Sequence, residues 1–270
     1  MIRTAEADKG SVLYVSHGGG PLPLFGDPGH AKMIDFMRGL SGKIGKPDAI
    51  LVFSAHWEES VPTILGTANP PLLYDYYGFP DEAYSLQYAL PGNPELARRI
   101  HAMFSDAGID SKIDTVRGFD HGVFVPLMLM HPEGTIPTIQ ISLIKGLDPA
   151  RHIAMGKALK GLLQENILII GSGFSFHNMR QFSRNAGSIA DPKNDLFQDS
   201  LIEYCTKRTS AKDIEAGLAG WEHIPGARYC HPREEHVLPL HVCFGLAQKP
   251  GTLVFDDYIL GKRAVAFSWD

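Results

Sequence analysis

Four short runs of branched and apolar residues constrain this chain more than any other feature: 12–15, 50–53, 138–143 and 167–170. The apolar positions are successive in 12–15, 50–53 and 167–170, whereas Gln140 and Ser142 interrupt 138–143; their two-sided apolar character suits a sheet covered on both faces. Stretches with helical apolar spacing lie among and after them, at 31–40, 93–104, 148–163, 195–207 and 234–246. Two of these open on Asn-Pro-Glu and Asp-Pro-Ala. Proline suits a first helical turn, where its missing N–H has no partner to lose. Residues 252–260 and 263–269 read as a hairpin around Gly261. Buried strands alternating with helices predict an α/β fold: one domain over residues 1–270, with a central mixed, largely parallel sheet flanked by helices.

The chemistry is concentrated in histidine, of which the chain has 12. His17 follows Val-Leu-Tyr-Val-Ser, His56 follows Ile-Leu-Val-Phe-Ser-Ala, and His177 follows Ile-Leu-Ile-Ile-Gly-Ser-Gly-Phe-Ser-Phe. Each is expected just past a buried strand, in a turn containing Ser or Gly. Ligands of open α/β sheets sit at the carboxyl ends of the strands, so parallel strands would bring these imidazoles to one crevice. Small neighbours, Gly18 and Ser54 among them, would let a ligand approach the backbone there. Neutral imidazole is the commonest protein metal ligand.

A further group is Cys230-His-Pro-Arg-Glu-Glu-His-Val-Leu-Pro-Leu-His241, in which His231, His236 and His241 do not share one helix face. A helix starting near Arg233 would put His236 in its first turn, facing the crevice, with His231 in the preceding loop and His241 deeper in a core or supporting position. His121, in Gly-Phe-Asp-His-Gly, is expected in a turn before an apolar run, as a candidate for substrate contact or proton transfer. The remaining histidines, His30, His101, His131, His152 and His223, read as surface or structural. The aromatic stretch 74–81 reads as a wall over a planar substrate, with Tyr77 and Phe79 as contact residues.

Other functions fit less well. A formal net charge of -5 at pH 7 provides no basic surface for nucleic acid. The three cysteines are widely spaced with no C-x-x-C, which argues against a disulfide scaffold or a thiolate zinc site. The start has no signal-peptide core, and no apolar run approaches the roughly 20 residues that cross a bilayer. A soluble cytoplasmic protein with no membrane partner is expected, its state, monomer or homodimer, left open. No phosphate-binding loop and no G-x-S-x-G elbow occurs.

Six motifs occur in order: Ser-His-Gly-Gly-Gly-Pro, Val-Phe-Ser-Ala-His-Trp, the stretch 74–80 followed by Tyr-Ala-Leu-Pro-Gly-Asn-Pro, Gly-Phe-Asp-His-Gly, Gly-Ser-Gly-Phe-Ser-Phe-His-Asn, and His-Pro-Arg-Glu-Glu-His-Val-Leu-Pro-Leu. Together they resemble the class III extradiol ring-cleaving dioxygenases, in particular the DOPA extradiol dioxygenase branch, over nearly the whole chain. The resemblance implies metal ligands at His17, His56 and His236, an acid/base histidine at His177 and a second active-site histidine at His121. It implies a small aromatic diol and O2 as reactants, Fe(II) as the working metal and a semialdehyde as product. Distant members use two histidines and one glutamate on Fe(II), whereas the third position here is His236. Three neutral imidazoles with an open position also suit Zn(II), so the residues leave open which metal is bound. They also leave open a zinc-dependent hydrolase and a non-catalytic metal-binding protein.

Overall fold

The computed structural model describes residues 10–183 and 190–270. Residues 1–9, part of the stretch read above for a leader, lie outside them. The strands are β1 (Ser11–Ser16), β2 (Ala49–Glu59), β3 (Thr63–Leu65), β4 (Lys112–Asp114), β5 (Thr138–Ile144), β6 (Ile167–Gly173), β7 (Thr252–Ile259) and β8 (Lys262–Trp269). The α-helices are α1 (Ala31–Ile44), α2 (Pro94–Asp106), α3 (His121–Met130), α4 (Pro149–Ala158), α5 (Pro192–Ile202), α6 (Ala211–Ala219), α7 (Ala227–Cys230) and α8 (Leu238–Ala247).

The eight strands form one sheet in the order β4-β3-β5-β2-β6-β1-β8-β7. The four central strands are the four apolar runs of the sequence, and they are mutually parallel. On one flank β3 runs antiparallel to β5 and carries β4; on the other the hairpin β7–β8 runs antiparallel to β1. The sheet is therefore mixed and mainly parallel, as expected. Residues of β5 and β6 are buried throughout, so the polar Gln140, Ser142 and Ser172 lie inside together with the apolar positions. Two apolar cores cover the two faces. One joins Leu51, Ile139 and Ile169 to α2, α4 and α8; the other joins Val52 and Ile170 to α1 and α3.

Several elements depart from the sequence expectations in ways that shape the site. The last helix begins at Leu238, not near Arg233, because Pro239 sits in its first turn and disfavours helix in the residues before it. His236 therefore lies in the turn before that helix. His121 is not in a turn but is the first residue of α3. Strand β2 continues to Glu59, so His56 lies within a strand rather than after one; its register against β5 shifts between Phe53 and Glu58. Such irregularities re-aim side chains, and this one spans His56. The stretch 148–163 is an α-helix only to Ala158, followed by a 3-10 segment, and 195–207 starts earlier, at Pro192, and ends in a π-helical turn.

Helices α4 and α8 cross at glycine. A Cβ on Gly156 would lie 2.1 Å from the Val242 carbonyl oxygen and 2.8 Å from the Gly245 Cα. Because the obstacle is backbone, no rotamer change relieves it. Gly156→Ala should therefore destabilise the protein by about 3 kcal/mol, at the upper end of ordinary overpacking. Denaturant unfolding measures this, and a loss below about 1 kcal/mol would show that the helices can separate freely.

Candidate metal centre and active site

Five histidines from five segments meet at the carboxyl end of the central strands. The His17 ring lies 4.8 Å from that of His56, 5.2 Å from that of His121 and 5.2 Å from that of His236, centroid to centroid. The His177 ring stacks on His236 at 3.3 Å. His17, His121 and His236 are buried, whereas the side chains of His56 and His177 are 23% and 21% exposed and so line the mouth.

Local structure explains each position. His17 extends β1 by one residue, its amide donating to the Gly173 carbonyl at 3.1 Å. The turn holding His236 lies against the end of β6: Phe174 N and Tyr14 Oη both donate to the His236 carbonyl, each at 3.0 Å. That approach needs Gly173, since a Cβ there would lie 2.1 Å from the same oxygen. His177 N donates to the Cys230 carbonyl at 2.9 Å, so segments 174–177 and 230–236 run side by side. His231, fully buried, bonds through Nε2 to the Ser175 carbonyl at 2.9 Å and supports this pair.

Hydrogen bonds at His17 and His236, and a longer contact with a carboxylate at His56, place the ring protons on Nδ1. The Ser172 hydroxyl donates to the Gly122 carbonyl, so it can only accept from His17 Nδ1, at 3.0 Å. His236 Nδ1 faces Glu235 Oε1 at 3.0 Å, and His56 Nδ1 faces Asp75 Oδ2 at 3.6 Å. A carboxylate only accepts, so the His236 proton belongs on Nδ1, and the negative charge of Asp75 favours the same tautomer at His56. The Nε2 atoms are left bare, and those of His17 and His56 face each other at 2.9 Å. Two lone pairs at that distance repel unless a cation lies between them. His17, His56 and His236 each offer a nitrogen within 4.8 Å of the others. Burial, reinforced by the neighbouring imidazoles, holds all three pKa values well below the ordinary histidine value. They are thus neutral at pH 7, the state that binds metal. The donor set fits a divalent ion: three neutral imidazoles, each oriented from behind by a hydroxyl or a carboxylate.

Two carboxylates that the sequence reading did not assign complete the site. Asp75 Oδ1 accepts from both the amide of His121, at 2.9 Å, and its Nδ1, at 2.8 Å. Burial raises the Asp75 pKa, but the His121 hydrogen bond and the nearby imidazoles outweigh it and hold the carboxyl below its usual value. Glu235 behaves alike: burial raises it, but the bond with His177, 3.3 Å away, helps to bring it down. Asp75 sits inside an aromatic stretch, and its lone charge there was the available signal. It reaches His121 because Leu73 N donates to the Phe119 carbonyl at 2.7 Å and Phe119 N to the Pro71 carbonyl at 2.9 Å. Asp120 is fully buried and accepts from Ser54, Gln140 and Arg117.

The expected contact residues divide. Ser54 is fully buried, donating to Asp120 Oδ1 at 2.7 Å and accepting from His56 N at 3.2 Å. Gly18 has φ +87°, and a Cβ there would meet Pro23 and His30. Its glycine thus serves the turn and its packing. His30 is structural, as expected, its Nε2 accepting the Gly19 amide at 2.9 Å. Phe79 packs against Gly20 and Tyr76. Tyr77 is not brought into the cluster; it is 92% exposed, and its neighbour Tyr76 faces His121 instead, 5.7 Å between centroids. His241 lies away from the rings, bonded to the Leu218 and Val237 carbonyls.

Residues 13–267 match the family described as the catalytic LigB subunit of aromatic ring-opening dioxygenase. The chain is 42% identical over 274 residues to the dioxygenase tasH of Hapsidospora irregularis, covering 96% of this chain and 85% of that one. It is 38% identical over 246 residues to a 4,5-DOPA dioxygenase extradiol of Beta vulgaris, covering 90% and 89%. A crystal structure of an uncharacterised protein from Escherichia coli K12 superposes with a TM-score of 0.76 at 25% identity, covering 96% and 99%.

Proposed function

Since the chain belongs to the LigB family of aromatic ring-opening dioxygenases, we propose that its histidine cluster cleaves the ring of a catechol beside the diol, using O2. The product is a semialdehyde. The observation that carries this reading is the pair of bare Nε2 atoms on His17 and His56, 2.9 Å apart, with His236 beside them. We assign these three residues as ligands, with Fe(II) as the working metal. Zn(II) fits the same nitrogens and competes for them in a purified sample. When bound, Fe(II) would supply Lewis acidity toward the diol and a path for electrons from the catechol to O2.

The chain supplies position and proton transfer. Glu235 faces His177 Nδ1 and directs the proton there, leaving Nε2 as the basic nitrogen. His177, at the mouth, takes a proton from a catechol hydroxyl at this atom and returns it to the opening ring. His121, held through Nδ1 by Asp75, presents its own Nε2 on the other side, beside His56, 3.9 Å between ring centroids. Tyr76 and Phe79 form an apolar wall for the ring, while Gly18 and Ser54 shape the floor through packing. Tyr77, at the exposed rim, is left to the substrate's outer substituent. We assign the whole chain to one catalytic domain whose reactants are small molecules. The net charge of -5 supports the absence of a nucleic-acid partner. Among the described residues no helix is long and apolar enough to cross a membrane. Three buried free cysteines suit a reducing compartment, the cytoplasm.

The test is to strip the metal, reload Fe(II) without air and add O2 with a panel of catechols. Oxygen uptake with a yellow product is expected; neither with any catechol would sink the proposal. His177→Ala should keep most of its metal, measured by elemental analysis, and lose turnover by about 100-fold or more, the range of a lost general acid/base. Loss of the metal itself would instead make His177 a ligand.

A further inference from the structure

Asp75 and Glu235 stand in equivalent relations to the site. Each faces two histidines at Nδ1: one assigned above as a ligand and one assigned to proton transfer. Asp75 faces His56 at 3.6 Å and His121 at 2.8 Å; Glu235 faces His236 at 3.0 Å and His177 at 3.3 Å. The two carboxylates come from distant parts of the chain, a loop before β4 and the turn before α8. Each also has a structural partner, Glu235 pairing with Arg233 at 3.3 Å. Asp75 takes the helix-capping place that Asp120 leaves open: Asp120 occupies the N-cap of α3 but makes no side-chain cap, and the His121 amide donates to Asp75 instead.

We propose that Asp75 is a positioning residue that sets the tautomers of two histidines at once, keeping Nε2 of His56 bare for metal and Nε2 of His121 bare for proton transfer, and that Glu235 does the same for His236 and His177. This rests on the proposed function, because it takes from it the roles of the four rings. The physical basis is donor counting. An imidazole whose Nδ1–H is fixed on an acceptor has its lone pair on Nε2. A carboxylate accepts at both of its oxygens, whereas an amide of the same shape accepts at one end only, because the other carries only N–H. In Asp75→Asn the amide oxygen keeps the two donors of His121, which are both at Oδ1. The NH2 group then faces His56 Nδ1, and that ring moves its proton to Nε2. The exchange leaves size and packing nearly unchanged, so it separates tautomer control from structural support.

Two readouts that need neither catechol nor O2 test this on the full chain. The first is Zn(II) affinity by competition with a chelator. Asp75→Asn should bind Zn(II) about 10- to 100-fold more weakly, the usual cost of losing a partner behind a ligand. Asp75→Glu, which keeps a carboxylate, should recover part of that loss, which a purely steric role would not predict. The second is the long-range 1H–15N NMR spectrum of the metal-free protein. Wild type should show Nδ1–H at His56 and His121, and Asp75→Asn should show Nε2–H at His56 with His121 unchanged. Zn(II) affinity within twofold of wild type and unchanged tautomers in Asp75→Asn would overturn the inference while leaving the dioxygenase reading standing. A wild-type chain with no Zn(II) affinity would overturn both. Where Asp75→Asn does not fold, Asp75→Glu carries the test: Nδ1–H retained at His56 and His121 supports it, and affinity equal to wild type with Nε2–H at His56 overturns it.

Discussion

His17→Ala is expected to leave the purified protein with little bound metal and to lower kcat/KM by at least on the order of 1000-fold. His17 is the middle of the cluster, its ring within 5.2 Å of those of His56, His121 and His236. It is 1% exposed and fixed from behind by Ser172, so its nitrogen is held in place before any ion arrives. The two remaining ligands, His56 and His236, hold a divalent ion far more weakly than three, because a third preformed donor adds binding without added ordering cost. Metal analysis and catechol-dependent oxygen uptake on the same sample measure both effects. Full metal occupancy together with activity within tenfold of wild type would remove His17 from the ligand set. Circular dichroism on the variant guards against reading unfolding as metal loss.

Stability should fall steeply as the pH drops below about 6.5, the ordinary histidine pKa. Burial lowers the pKa of His152 and His241 to about 4 and that of His231 to about 3. His152 shows why: Nδ1 donates to the Asp148 carbonyl at 2.7 Å while Nε2 accepts the Ile144 amide at 3.1 Å. A second ring proton would set N–H against N–H. The native state therefore stays unprotonated where the unfolded chain takes up protons. Stability from these groups is complete above pH 6.5 and declines down to the folded values. Each group costs about 1.4 kcal/mol per pH unit in that window, so the three together cost about 4 kcal/mol per unit. The lowered Asp75, Asp191 and Glu235 add to the loss only nearer pH 4 and below, while Asp120, raised by burial, opposes it. A domain with ordinary stability of about 5–15 kcal/mol should unfold within a few units below pH 6.5. Denaturant midpoints measured between pH 7 and pH 5 test this, and a flat profile would show that these rings are hydrated in the native state.

The legible parts of this molecule were those with local signals. The four apolar runs became the four central strands because burial on both faces leaves a pattern that needs no knowledge of partners. The prolines at Pro94 and Pro149 marked true helix starts, and their preceding Asn93 and Asp148 cap them. Strands β3 and β4 were not legible, since three residues are too few to show a period. The start of α8 was misjudged because the acidic and basic residues at 233–235 suggested a first turn, whereas Pro239 sets it. At the site, five histidines were found from motif and context, and the rings do meet. Asp75 was missed because its role depends on pairing between segments 71–73 and 119, which no local pattern encodes. Tyr77 was preferred over Tyr76 because a sequence does not show which of two adjacent aromatic rings turns inward.

The spread of the site along the chain has a consequence for how the protein matures. Its histidines stand at positions 17, 56, 121, 177 and 236, one from near each end and three between. No fragment lacking the last of these turns can present the complete set of nitrogens, and contacts with Tyr14 and Phe174 tie His236 to the end of the sheet. Under the proposed ligand set, the full complement of metal-binding nitrogens would therefore form only once these segments have packed together. A chain still emerging from the ribosome exposes isolated imidazoles, none of which competes strongly for free ions. A metal held by His17, His56 and His236 would thus report that β1, β2 and the turn before α8 have come together.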